Sequence, residues 1–129
     1  MNKVFVYGTL KAGNSMRGID RISPNSVIVG KAVTKYPDYD MIDLGAFPGA
    51  ITGNMHIEGE VWDIDEETFH ILDQIEGYPN FYNRKIVDTT QGKAWMYYLE
   101  DADEYVSSKP RELSTRIDAI EETLIWKSN

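Results

Sequence analysis

Apolar residues in this chain fall mostly into short continuous or alternating runs, and only twice into a helical period. Val4-Phe5-Val6-Tyr7 is continuous and ends at Gly8, so Lys3 to Tyr7 is predicted to be a strand covered on both faces. Ser26 to Lys35 (SVIVGKAVTK) reads as a second strand with a bulge or kink at Gly30. Tyr36-Pro37-Asp38 turns the chain into a short strand, Tyr39 to Leu44. His56 to Trp62 places Ile57, Gly59 and Val61 on one face and Glu58, Glu60 and Trp62 on the other. Phe81 to Thr89 and Lys93 to Leu99 are strands joined at Thr90-Gln91-Gly92. Between these elements, Gly8 to Ser15 is a loop rich in turn formers, and Met16 to Asn25 is polar and mixed. Gly45 to Ile51 is a tight, apolar-studded loop that ends in strand character, and Glu100 to Glu104 is an acidic loop without metal-ligand spacing.

The first helical stretch follows Asp65, an N-cap with Glu66 and Glu67 in the first turn. Ile64 and Phe69 have the spacing of a hydrophobic staple. Phe69, Leu72 and Ile75 mark a face expected to be buried, and Gly77-Tyr78-Pro79 stops the helix. The second stretch carries Leu113, Ile117, Ile120 and Leu124, with Trp126 near its end. It predicts an amphipathic helix over about 110–126, packed on the sheet. Short strands around a mid-chain helix make this an α+β chain with a small mixed or mostly antiparallel β-sheet curled towards a barrel and flanked by helices. No repeat, linker or low-complexity segment divides residues 1–129, so one domain is expected.

Composition narrows the chemistry. The chain has no cysteine, which excludes disulfides, thiolate nucleophiles and cysteine-bound zinc. A formal charge of −8 opposes non-specific binding to nucleic acid or anionic membrane. No apolar run has the ~20 residues of a membrane span, and Val4 to Tyr7 is too short for a signal-peptide core. A soluble, cytoplasmic protein is the expectation. The chain has no P-loop, no dinucleotide-binding glycine pattern and no nucleophile elbow. His56 and His70 lie on different predicted elements and are not spaced to share a metal.

Glu76 stands out by position. It is the last residue of the predicted helix, where the dipole disfavours a carboxylate by roughly 0.3–1 kcal/mol. Partial burial there would raise its pKa towards the range of a general base and acid. The bland alternative is a solvated glutamate that tolerates its place. Asp73, one turn earlier, either adds to that rise or caps a neighbour. Arg84 reads as a structural ion-pair partner, and Tyr7 as core packing whose hydroxyl finds one partner or as a ligand contact.

Val4-Phe5-Val6-Tyr7-Gly8-Thr9-Leu10-Lys11 resembles the N-terminal signature of the γ-glutamylcyclotransferase family. Leu72-Asp73-Gln74-Ile75-Glu76-Gly77-Tyr78-Pro79, with Tyr82 and Arg84, resembles its second block. Phe47-Pro48-Gly49-Ala50, Gly59-Glu60-Val61-Trp62 and Ala94-Trp95-Met96-Tyr97 resemble pieces found in the same order. The match looks closest to the γ-glutamylamine cyclotransferase branch and covers Val4 to about Leu99.

The resemblance implies a small β-barrel with flanking helices and a reaction that needs neither cofactor nor metal. It implies that Glu76 is the catalytic base and acid, that the backbone N–H groups of Gly8, Thr9 and Leu10 hold the substrate's α-carboxylate, with Tyr7 as a further substrate contact, and that Tyr82 lines the pocket. The substrate would be a small γ-glutamyl conjugate, released as 5-oxoproline and a free amine or amino acid. The family often has Ser where Thr9 stands, a mild change because the implied contacts are backbone ones. Two other readings keep the same pocket: a non-catalytic binding module, or an enzyme that removes a γ-glutamyl protecting group in a biosynthetic pathway.

Overall fold

The computed structural model describes residues 2–11, 18–100 and 108–127. The turn-rich stretch read at Ala12 to Ser15 and nearly all of the acidic loop lie outside these. Strand β1 (Asn2–Val6) is central. It pairs antiparallel with β5 (His56–Ile64), from Asn2 opposite Ile64 to Val6 opposite Glu60, and parallel with β7 (Gly92–Tyr98) at Val4 opposite Trp95. The continuous apolar run has the meaning expected of it. Phe5 and Tyr7 enter one hydrophobic cluster, Val4 and Val6 another on the opposite face.

On the far edge of β5 lies β2 (Val27–Val33), whose register shifts between Ile28 and Gly30, at the predicted bulge. Strand β6 (Asn83–Thr89) pairs antiparallel with β7. The sheet then returns on itself: Lys35 N–H donates to Asp88 O at 2.9 Å and Thr90 N–H to Val33 O at 2.9 Å. Closure of β6-β7-β1-β5-β2 hides edges that an open sheet would expose. Gly59 is required beneath Phe5, since a Cβ there would lie 2.3 Å from Val6 O.

A smaller antiparallel sheet, β3 (Tyr39–Asp43) with β4 (Pro48–Thr52), caps one end. Leu99 N–H donates to Ala50 O at 2.8 Å and ties this sheet to the end of β7. The stretch read as a loop near Phe47 is therefore largely strand. A one-turn helix α1 (Ile19–Ile22), which the mixed polarity of residues 16–25 does not signal, buries Ile19.

Helix α2 (Glu66–Glu76) begins and ends where the sequence predicts. Asp65 Oδ1 accepts Thr68 N–H at 2.7 Å, and hydrogen bonding to Thr68, from its side chain first and then its backbone, holds the Asp65 carboxyl below its ordinary pKa. Gly77 adopts φ +65°, and Tyr78 N–H reaches Asp73 O at 2.9 Å, a Schellman stop. Phe69 and Leu72 pack on the outer face of the barrel with Ile64 and Val4. Ile75 departs from expectation: it is 44 % exposed.

The C-terminal helix expected over about 110–126 is not formed. The chain makes β8 (Lys109–Pro110) beside β3, a 3-10 turn at Arg111–Leu113, and a hairpin of β9 (Ile117–Ile120) and β10 (Thr123–Trp126). Strand β10 runs parallel to the start of β5, with Leu124 opposite Ile57. Ile117, Leu124 and Trp126 join the core, whereas Leu113 and Ile120 stay exposed. The apparent helical stripe mixes residues with different fates. Period two, not 3.6, places the buried ones of β10. Among the described residues no helix is long and apolar enough to cross a membrane.

Candidate active site

The end of β1, the end of α2 and the β3–β4 connection enclose a cavity of about 70 Å³, lined by Tyr7, Gly8, Thr9, Leu10, Glu76 and Tyr82 among others. Every residue singled out from the sequence as catalytic or substrate-binding therefore meets at one place. They come from segments separated by more than sixty positions, brought together because β1 is the strand over which α2 packs.

Gly8 turns the chain off β1. A Cβ at this position would lie 2.8 Å from the Pro48 ring, so the loop approaches β4 as only glycine permits. Lys11 N–H donates back to Gly8 O at 3.1 Å and Ile19 N–H to Leu10 O at 2.8 Å, which fixes the loop's two ends. Lys11 Nζ also reaches Trp126 O at 2.8 Å, so the C-terminal hairpin braces this loop. Burial lowers the Lys11 pKa. Within the described residues, the N–H groups of Thr9 and Leu10 have no protein hydrogen-bond partner. Backbone donors that a fold leaves unused at a cavity wall suit an anion.

Both tyrosines present their rings, because their hydroxyls are engaged by backbone. Tyr7 Oη donates to Tyr97 O at 2.8 Å and accepts Ala50 N–H at 2.9 Å. Tyr82 Oη donates to Pro48 O. Burial raises the Tyr7 pKa far above the tyrosine norm, the Ala50 bond opposes the rise, and the Glu76 charge adds to it. Glu76 is half-buried at the cavity wall, and its carbonyl accepts Tyr82 N–H at 3.3 Å.

Asp73 lies one turn before Glu76 and is held by other groups. Its carboxylate meets Arg84 at 3.1 Å, as the ion-pair reading of Arg84 anticipates, and accepts Tyr97 Oη at 2.7 Å. The Arg84 guanidinium lies 4.3–4.6 Å from the ring centres of Phe69, Tyr78 and Trp95. Burial, the bond to Asp73 and the charges of Asp73 and Glu76 all push the Tyr97 pKa up, against a smaller opposing effect of Arg84.

Sequence reasoning missed Phe47, Pro48, Ile75, Phe81 and Tyr97 as cavity residues. For Tyr97 a signal was present: alternation along β7 sends Ala94 and Met96 into the barrel and Trp95 and Tyr97 out towards α2. Among the described residues no group of His, Asp and Glu is arranged to hold a metal ion.

A closed small barrel, a glycine loop and a helix-end carboxylate around one cavity define a class of compact single-carboxylate sites. The sequence profile described as "Gamma-glutamyl cyclotransferase, AIG2-like" matches residues 4–121, and the chain belongs to that family. A Vibrio cholerae protein whose name assigns it γ-glutamylcyclotransferase activity provisionally is 40% identical over 98 residues, 76% of this chain and 82% of that protein. The γ-glutamylcyclotransferase family protein YtfP of Escherichia coli is 36% identical over 100 residues, 76% of this chain and 82% of its own. The solution structure of ytfP from Escherichia coli superposes with a TM-score of 0.61 at 33% identity, covering 83% of this chain and 88% of that one. A crystal structure of an AIG2-like protein from mouse gives a TM-score of 0.68 at 22% identity over 85% of each chain, a likeness of fold.

Proposed function

We propose that this protein is a γ-glutamylcyclotransferase that releases 5-oxoproline and a free amine from a small γ-glutamyl conjugate. The observation that carries the reading is the meeting of Glu76 with the Gly8–Leu10 loop across one small cavity. Family membership supports the reaction class. In this reading the Thr9 and Leu10 amides, with Gly8 allowing their close approach, hold the α-carboxylate. The rings of Tyr7 and Tyr82 pack beside the γ-glutamyl chain and hold it folded.

Glu76 takes a proton from the α-ammonium, and the freed nitrogen attacks the γ-carbonyl carbon. A C–N bond forms within the substrate as the C–N bond to the departing amine breaks, and Glu76 returns its proton to that amine. The ammonium gives up two protons in becoming the lactam N–H, and the departing group gains two in becoming an ammonium, so protons balance. Orientation supplies much of the acceleration, because nucleophile and carbonyl already belong to one molecule.

The apolar Tyr36–Ile51 region offers no dedicated site for a second carboxylate of a glutathione-like substrate. This favours γ-glutamylamines, the substrates of the branch that the sequence resembles. The test is 5-oxoproline release from a panel of γ-glutamyl amines, γ-glutamyl amino acids and glutathione. Release from the amines supports the reading. Binding of γ-glutamyl compounds without release would leave a binding module, and release of free glutamate instead of 5-oxoproline would make the protein a hydrolase.

A further inference from the structure

The cavity has two chemically different ends. Tyr7, Gly8, Leu10, Pro48, Tyr82 and Tyr97, at its inner end, are buried. At its mouth Ile75 and Phe81 are 44 % and 38 % exposed, and Phe47 is half-buried beside them. Phe81 is set in place by the turn after α2. Its N–H donates to Gly77 O at 2.7 Å, and a Cβ on Gly77 would come within 3.0 Å of the Phe81 Cβ. Phe47 meets the Phe81 ring edge-on, with centres 6.0 Å apart, and Phe81 meets Tyr82 edge-on at 5.0 Å. The mouth is thus an ordered aromatic collar, and Glu76 is the one charged side chain among the described lining residues.

The next step rests on the cyclotransferase reading. If the γ-glutamyl head fills the inner end, whatever lies beyond the scissile bond must leave past Phe47, Ile75 and Phe81. The geometry points to a leaving amine that is itself apolar, an arylalkylamine or branched alkylamine, with Phe81, Phe47 and Ile75 as its specificity-determining contacts. An apolar group there covers side chains that otherwise face water, which is favourable. Among the described lining residues at the mouth, a carboxylate or ammonium on the leaving group would meet rings and an isoleucine and gain no partner from them for the hydration it sheds.

Three conjugates with the same head separate the possibilities: γ-glutamyl methylamide, γ-glutamyl benzylamide and γ-glutamyl aspartate. Turnover is read as 5-oxoproline release and binding by calorimetry. The kcat/KM of the benzylamide is expected to exceed that of the aspartate conjugate by about tenfold or more. Phe81→Ala and Ile75→Ala should each lower that ratio severalfold. Leu113→Ala, at an exposed site away from the cavity lining, should not. Taking ratios within each variant cancels any loss of folded protein. Equal turnover of the benzylamide and aspartate conjugates, or an unchanged ratio in both cavity variants, overturns the apolar-amine assignment and leaves the cyclotransferase reading intact. Tight binding of the benzylamide without release from any conjugate overturns the cyclotransferase reading, and the leaving-amine assignment that rests on it falls too. Absence of both binding and release sinks both.

Discussion

Two carboxylates stand one turn apart on α2 and lead different lives. Asp73 is enclosed: Arg84 and the Tyr97 hydroxyl meet it directly, and three aromatic rings surround the guanidinium. Glu76 borders the cavity, close enough to Tyr7 and Tyr97 for its charge to raise both hydroxyl pKa values. The same functional group is locked into an ion pair in one setting and borders a cavity in the other. Surroundings within a few ångströms make the difference. A carboxylate whose oxygens are met by an arginine and a tyrosine contributes to stability and orients its neighbours. One at a cavity wall can exchange protons with whatever enters.

The contrast can be broken most sharply at Glu76. Glu76→Gln is expected to lower turnover by about 10²–10⁴-fold, the range for a lost general base, while binding and thermal stability stay near wild type. Steady-state kinetics with calorimetric binding checks it, and full turnover in this variant would remove Glu76 from the mechanism. Arg84→Met should act oppositely, costing stability first. Leaving Asp73 unpaired in a mostly buried place is expected to cost about 2–3 kcal/mol, somewhat under the cost at a fully buried pair. Denaturant unfolding measures it, and a double cycle with Asp73→Asn should recover part of the loss.

A smaller effect tests the link between the two carboxylates. Tyr97→Phe removes one hydrogen bond to Asp73, so about 1 kcal/mol of stability should go. Turnover should fall less than tenfold if Tyr97 only orients the helix end. A further test is alkaline. Tyr7 and Tyr97 have folded-state pKa values above the unfolded value near 10. Above that pH the unfolded chain releases protons that the folded protein keeps, so stability falls as pH rises until the folded values are reached. The expected slope is about 1.4 kcal/mol per pH unit for each tyrosine, and Tyr97→Phe should make it shallower.

Much of the half that carries the candidate site was legible because its signals are local. Asp65 and Gly77 bracket α2 by capping chemistry that depends on few neighbours. The unbroken run of β1 announces burial on both faces. The C-terminal segment misled because its spacing imitates a helix and its turn carries no mark. Glu121 and Glu122 both take positive φ, 48° and 66°, in the hairpin between β9 and β10. Such turns ordinarily advertise themselves with asparagine and glycine. Ile75 kept helical spacing with Phe69 and Leu72 yet sits at the cavity mouth, since periodicity cannot tell a core from a rim. The meeting of Glu76 with Gly8 was implied by resemblance alone, because residue spacing says nothing about which helix end faces which loop.

The Tyr7 hydroxyl joins the carbonyl of Tyr97 to the amide of Ala50, and so links three strands that are not neighbours in sequence. Unlike a bridging water, a tethered phenol cannot diffuse away. The floor beneath the cavity is thereby made permanent, and a phenylalanine in its place would leave two main-chain groups without their shared keystone.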